Sequence, residues 1–515
     1  MVLIKPLNLY VLIYITYKNI NDWGDSILSF VSFSFLILLF VTVVVYYLIS
    51  PQYRWIWLLV ISFFFYMCSS PVYVVFLLAS ILVTYFSGVL IGKVNHGSGS
   101  KTRKKAIAAL SLVINIGVLI TFKYLKFFSD LLSFAGINAI AGEYRFILPI
   151  GISFYTFQSL SYTLDVYRGD VEPEYHLGKY ALFVSFFPTL ISGPIQKSKD
   201  FLKKIDEVHS FDYDRVRRGI LLMLWGYFEK MVVADRLGVL VNTVFNNPAQ
   251  YHGLDSILAV LFYTFQIYCD FAGYSNISLG VAETLGFHLS ANFQQPYFSK
   301  SIQEFWRRWH ISLGTWFRDY LYFPLGGSRC SKLRHYLNLL IVFTVCGLWH
   351  GASLTFLFWG ILHGFYQIVG LLLKPVKREV QDRLGFQNSS RGYTMLQTAA
   401  TFVLVSFAWV FFRADTMENA FLMIGNMFQF DRSSLWDGSI FNLGLTQPEF
   451  IAAILGIFIV ILVDILTTHL DLRNVLIGSN TMVRWTVYLA AVLILIIFGT
   501  YGSEYSAQSF IYFQF

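Results

Sequence analysis

Apolar runs recur from Phe30 to Tyr501 with no long polar interval between them. Runs of this kind are read as membrane helices, and their number leaves one polytopic, all-α membrane domain as the fold class. The composition agrees, with 56% hydrophobic residues, only 13% charged residues and a mean hydropathy of +0.59. The pattern places spans near residues 30–48, 55–67, 72–91, 106–122, 147–160, 180–191 and 220–233. Further spans fall near 257–287, as one helix or two pieces, then 337–348, 354–373, 398–412, 450–466 and 485–498. Several are too short for an independent crossing and read as tilted, re-entrant or interfacial helices, so the expected total is about 11–13 membrane segments. Residues 1–25 form an amino-terminal extension with no clean signal-peptide progression, and residues 26–515 form a single domain.

The net charge of +8 sits mostly in loops, where it reports orientation and contact with lipid headgroups, not nucleic acid. Lys93, Lys101, Arg103, Lys104 and Lys105 form a loop with no acidic residue, the clearest cytoplasmic marker, which puts the amino terminus outside. Cys68, Cys269, Cys330 and Cys346 lack the pairwise spacing of a zinc site or a disulfide framework, so no metal is expected.

The histidine at Trp349-His350-Gly351 occupies the turn of an apolar hairpin. Basic residues flank both outer ends, Arg318 to Arg334 before the first arm and Lys374 to Arg383 after the second, so both ends are cytoplasmic. At about 1.5 Å per residue, His350 lies roughly 20 Å above the inner surface, inside the hydrocarbon depth or near its outer boundary. An ionisable residue there is either a functional site or a hydrogen-bonding staple between helices. His363, a further thirteen residues along, reads as roughly 20 Å away on the second arm and outside the catalytic set.

Residues 303–318 carry Trp306, Trp309, Leu313 and Trp316 at helical spacing, which predicts one helix with an aromatic face. Arg307 and Arg308 beside that face suit a helix anchored among headgroups, or a basic collar that receives an anionic donor through guanidinium–phosphate contacts. Gln266, Asp270 and Tyr274 are spaced by four and share another face, either a polar seam between helices or the lining of a substrate tunnel.

Several long strings then point to a known family. They are Phe265-Gln266-Ile267-Tyr268-Cys269-Asp270-Phe271-Ala272-Gly273-Tyr274-Ser275, Phe305-Trp306-Arg307-Arg308-Trp309-His310-Ile311-Ser312-Leu313, Arg318-Asp319-Tyr320-Leu321-Tyr322-Phe323-Pro324-Leu325-Gly326-Gly327 and Gly347-Leu348-Trp349-His350-Gly351-Ala352. Gly151-Ile152-Ser153-Phe154-Tyr155-Thr156-Phe157-Gln158, Gly193-Pro194-Ile195, Ala408-Trp409-Val410-Phe411-Phe412-Arg413-Ala414 and the terminal Phe510-Ile511-Tyr512-Phe513-Gln514-Phe515 accompany them. Over about residues 30–515 the chain resembles the membrane-bound O-acyltransferase family, in the branch that O-acetylates exported polysaccharides such as alginate, or peptidoglycan or cellulose. The resemblance implies helices around a central reaction tunnel in a bacterial cytoplasmic membrane. It implies transfer of an acyl group from a cytoplasmic thioester, acetyl-CoA, toward glycan hydroxyls outside, directly or through an extracytoplasmic acetyltransferase partner. No tightly bound cofactor is implied.

By the same resemblance His350 matches the family's catalytic histidine and His310 its second active-site position. Candidates for substrate binding or tunnel lining are Asp270, Gln266, Tyr274, Trp306, Arg307, Arg308, Trp309 and Trp349. A histidine titrating near neutrality can take a proton from an attacking hydroxyl and return it to the leaving thiolate, or can itself carry the acyl group. The branch also contains the D-alanine transferase of teichoic acid export, which draws on a carrier-protein thioester. A transporter of an anionic lipid or sugar is the reading from a different class; neither an inverted repeat nor paired broken helices are evident to favour it. No Gly-x-Ser-x-Gly elbow supports a serine-hydrolase mechanism.

Overall fold

The computed structural model describes residues 28–69, 71–96, 100–125, 127–129, 149–191, 193–384, 391–429 and 438–501. The extension at 1–25, the first two residues of the expected span at 147–160 and the terminal Phe510–Phe515 string lie outside the described residues. The described chain is helical and contains no strand. Seven of the described helices are long and apolar enough to cross a bilayer, so the protein is a multi-pass membrane protein. Shorter helices fill the space between them, as the short apolar runs predicted.

Four apolar helices, Phe33–Leu48, Arg54–Ser69, Val74–His96 and Lys101–Lys123, precede Ile152–Arg168, which is buried along most of its length. Tyr213–Tyr227 runs through a π-helical stretch, Phe228–Ala234, into Asp235–Phe245, and this run packs along the 31-residue Leu254–Thr284. The expected span at 257–287 is thus one helix, not two pieces. Lys332–His350 and Leu354–Leu372 form the predicted hairpin, and Arg391–Arg413 packs on its second arm. Thr481–Phe498 has no buried residue, the pattern of an apolar helix whose surroundings are lipid.

Small residues decide how closely these helices meet, because lipid gives apolar side chains no drive to leave it and packing must do the work. Gly226 and Gly273 face each other at the central crossing: a Cβ on Gly226 would lie 2.5 Å from the Gly273 carbonyl, and one on Gly273 would lie 2.7 Å from the Gly226 carbonyl. One heptad along, Gly219 and Gly280 repeat the arrangement at 2.6 and 2.5 Å. The hairpin has its own pair, with Gly347 and Gly360 so close that a Cβ on either would fall 2.3 Å from a backbone oxygen of the opposite arm.

The helices Lys101–Lys123 and Lys332–His350 both start in basic segments, and their far ends touch, since Lys123 donates to the carbonyls of Trp349 and His350. Their basic ends therefore lie on one side and His350 on the other, as the cytoplasmic loop reading requires.

Gly273→Ala is expected to force these backbones apart at a cost of about 1–3 kcal/mol, seen as a lowered melting temperature in detergent. Gly117→Ala, where a Cβ meets nothing within 4 Å, is the control and is expected to leave the melting temperature unchanged or raised. Equal behaviour of the two variants would refute the close-crossing argument.

Candidate active site

His350 is the last residue of its helix. The chain leaves the helix at Gly351 in an extended conformation open to any residue, so its backbone does not require glycine there. Space does, because a Cβ on Gly351 would lie 2.2 Å from the Phe356 ring. Ser353 then caps Leu354–Leu372, its side chain accepting from the Thr355 N–H at 3.1 Å. The Gly347–Gly360 crossing brings Trp359 edge-on to His350 at 5.1 Å between ring centroids. Phe412, from Arg391–Arg413, closes another side at 5.2 Å, and Trp349 lies at 4.9 Å.

His310 arrives by a different route. The single helix expected over residues 303–318 is broken: Ile302–Arg308 ends before Trp309, Ile311–Phe317 begins after His310, and His310 has left-handed φ and ψ of 42° and 55°. That conformation costs a non-glycine residue roughly 1–2 kcal/mol, so its surroundings must hold it. Asn292 does so with both its groups. Its carbonyl accepts from the Ile311 N–H at 2.9 Å, and its side-chain oxygen accepts from the Ser312 N–H and hydroxyl at 3.2 and 3.0 Å. The bend turns the His310 ring inward against the edge of Phe271 at 4.6 Å, with Trp349 at 5.9 Å and Phe154 at 6.2 Å.

The two imidazoles, forty residues apart in sequence, thereby stand 6.5 Å apart between centroids, each essentially inaccessible to water. Low-dielectric surroundings strengthen any hydrogen bond that either ring makes to a group brought between them.

The break also relocates the tryptophans, which correct the headgroup-anchor reading. Trp309 is buried among Phe293, Phe305 and Trp409. The Trp306 indole donates to His363 Nδ1 at 3.2 Å, and Trp316 stacks on Phe157 at 3.8 Å while donating to its carbonyl. All three turn into the protein because the 309–310 bend destroys the common face that uninterrupted helical spacing implied. Arg307 is exposed and Arg308 pairs with Glu304 at 2.6 Å. His363 lies closer to His350 than the thirteen-residue run implied. The hairpin folds back so tightly that Trp359 touches both rings, 5.1 Å from one and 4.9 Å from the other.

Asp270 forms an ion pair with Lys230 at 2.6 Å, and Lys230 pairs equally with Asp235. Tyr274 lies under the same ammonium at 5.5 Å, while Gln266 is buried two turns from it on the same helix. This is a polar seam between Leu254–Thr284 and the π-helical stretch. Sequence reasoning missed Lys230 and Asp235, along with Asn292, Lys123, Tyr124, Trp359 and Phe412. Lys123, a charge ending an apolar run, and Lys230, a charge inside the expected span 220–233, were legible signals among them.

On the basic side, a cavity of about 500 Å³ is lined by Gln196, Lys197, Lys203 and Lys204 and reaches Ile311 and Ser312, the residues after His310. Its lining also holds Asp200 and Glu207, so the three lysines leave it with a small positive excess beside the bend.

The sequence model of the membrane-bound O-acyltransferase family matches residues 171–414, which hold both histidines. The chain is 35% identical over 490 residues to the probable alginate O-acetylase AlgI of Pseudomonas putida, covering 91% of this chain and 96% of the relative. The chain belongs to the membrane-bound O-acyltransferase family. It is 32% identical to the peptidoglycan O-acetyltransferase of Helicobacter pylori over 73% of this chain and 74% of that one. With the teichoic acid D-alanyltransferase of Bacillus subtilis it shares 30% identity over 51% of this chain and 68% of the relative. The protein is therefore an O-acyltransferase of the bilayer, and any account of its chemistry must use groups that meet at membrane depth.

Asn292→Ala leaves the Ser312 donors without their acceptor, while the backbone bond from the Ile311 N–H to the carbonyl of residue 292 remains, so the left-handed His310 loses the side-chain part of its anchor. The expected loss is about 1–3 kcal/mol of stability together with reduced acyl transfer, read from melting temperature and turnover. Unchanged values of both would show that the bend holds itself.

Proposed function

We propose that this membrane-bound O-acyltransferase moves an acetyl group from cytoplasmic acetyl-CoA to hydroxyls of an exported polysaccharide or cell-wall glycan, with His350 as catalytic base and His310 beside it. The observation that carries the reading is the meeting of the two buried imidazoles 6.5 Å apart, with Ile311 and Ser312, which follow His310, among the lining of a cavity that also holds three lysines. The names of the relatives support the acetyl group and the glycan, and the longer alignment with alginate O-acetylases favours acetyl over D-alanyl transfer. The same reading places the protein in a bacterial cytoplasmic membrane and includes an extracytoplasmic acetyltransferase partner that receives or directs the acetyl group.

In this reaction the His350 imidazole accepts the proton of the acceptor hydroxyl as its oxygen attacks the thioester carbonyl. The tetrahedral intermediate carries its negative charge on the former carbonyl oxygen, where a His310 N–H can donate to it. Collapse breaks the carbon–sulfur bond, the thiolate leaves with the proton held by His350, and an ester and a free thiol result. Both rings are buried, so the aromatic wall must part to admit donor and acceptor. The lysines that line this cavity suit the phosphates of the donor, whose thioester end would point toward Ser312 and the bend.

Purified protein in proteoliposomes, supplied with radiolabelled acetyl-CoA and a glycan acceptor, tests the assignment. His350→Ala is expected to cut turnover on the order of 10²–10⁴-fold with an unaltered melting temperature. Full turnover in that variant removes His350 from the mechanism. Lys203→Glu is expected to raise the KM for acetyl-CoA about 3–10-fold with kcat unchanged, an effect that shrinks as salt rises. A KM insensitive to this charge reversal would detach the cavity from the donor.

A further inference from the structure

The last four carbonyls of an α-helix have no partner within the helix, and at membrane depth water does not supply one. At the end of Lys332–His350 each is accounted for. The Gly347 carbonyl accepts from the Gly351 N–H, and the Leu348 carbonyl from the Tyr124 hydroxyl at 2.6 Å. The carbonyls of Trp349 and His350 both accept from the Lys123 ammonium, at 2.7 and 2.9 Å. Three of the four bonds come from two adjacent residues that end a separate helix, Lys101–Lys123.

We propose that Lys123 and Tyr124 are positioning residues for His350, gripping the terminal carbonyls of its helix so that its imidazole is held toward His310. The proposal rests on the catalytic reading of His350. A lysine at a helix end in a membrane would ordinarily extend toward the headgroups. Here the side chain turns inward, spans two carbonyls and passes within 5.9 Å of the Trp349 ring. Its Nζ donates at the negative end of the helix dipole, where any positive charge it carries is favoured. His350 is the final helical residue, so nothing beyond it in its own helix restrains its backbone; the neighbouring helix does. The ring's reach to a substrate follows from that backbone, and a displacement of about 1 Å costs on the order of 10²-fold in rate.

Lys123→Met, Lys123→Arg and Tyr124→Phe, each purified and reconstituted, test this in the acetyl-CoA assay. Lys123→Met is expected to lower kcat about 10–100-fold with the KM for acetyl-CoA unchanged, and to lower the melting temperature because two buried carbonyls lose their donor. Lys123→Arg, which keeps the charge and the donors, is expected to restore most of that loss, and Tyr124→Phe to lower kcat about 2–10-fold. Full kcat in Lys123→Met, a loss confined to KM, or failure of Lys123→Arg to restore kcat would overturn the proposal. Should Lys123→Met not fold, Tyr124→Phe decides, and an unchanged kcat there overturns it. His350→Ala separates the two readings: activity in that variant defeats the catalytic assignment, whereas an inactive His350→Ala beside a fully active Lys123→Met defeats only the positioning role.

Discussion

Lipid supplies no hydrogen bonds, so every polar group carried to membrane depth has to find its partner inside the protein. That constraint organises the molecule around the His310–His350 pair. The carbonyls that end the His350 helix find donors on Lys123 and Tyr124. The amides exposed by the bend at His310 find the Asn292 oxygens. The cation of Lys230 finds two carboxylates. In each case at least one partner comes from a different part of the chain, Asp270 in the case of Lys230, so satisfying the polar group also docks one element on another.

Close backbone crossings are the second half of the same economy. Gly347 and Gly360 allow the hairpin arms to touch, which sets Trp359 against His350 and lets His363 share that indole. The aromatic wall formed by Phe271, Trp349, Trp359 and Phe412 then excludes water from both imidazoles without presenting a competing charge. Under the proposed function, a base in such a site is not hydrated, and a proton it takes up is held near the reacting atoms.

The fold class, the hairpin and most helix positions were legible in the sequence, because apolar runs and basic loops are direct consequences of immersion in a charged-surface bilayer. Two local features were not. The break at His310 is invisible to periodicity: Trp306, Trp309, Leu313 and Trp316 keep helical spacing across it, and what breaks the helix is a tertiary anchor eighteen residues upstream, Asn292. The proximity of His363 was hidden because distance along a helix was counted without knowing how closely two glycines would let the arms approach. His350 stood out by its place at an apolar turn, but the family strings alone paired the two histidines as candidates for one site. Spacing alone left His350 a catalyst or a staple, and an inward-facing His310 was one of two readings of residues 303–318.

The buried ions near the site can be understood in the same terms. A buried salt bridge is weak evidence for stability, since desolvation offsets much of the attraction, but it fixes register well. Asp270 and Phe271 are neighbours on Leu254–Thr284 and so point about 100° apart around that helix. With Asp270 bound to Lys230 on the π-helical stretch, the helix cannot rotate without stranding a charge in the interior, and Phe271 is thereby kept against the His310 ring. The π-helical geometry of Phe228–Ala234 belongs to this arrangement, for it carries Lys230 between Asp235 and Asp270 at 2.6 Å from each. An apolar substitute for the triad could pack as well, yet it would leave the rotation of the long helix, and with it one wall of the site, set by shape alone.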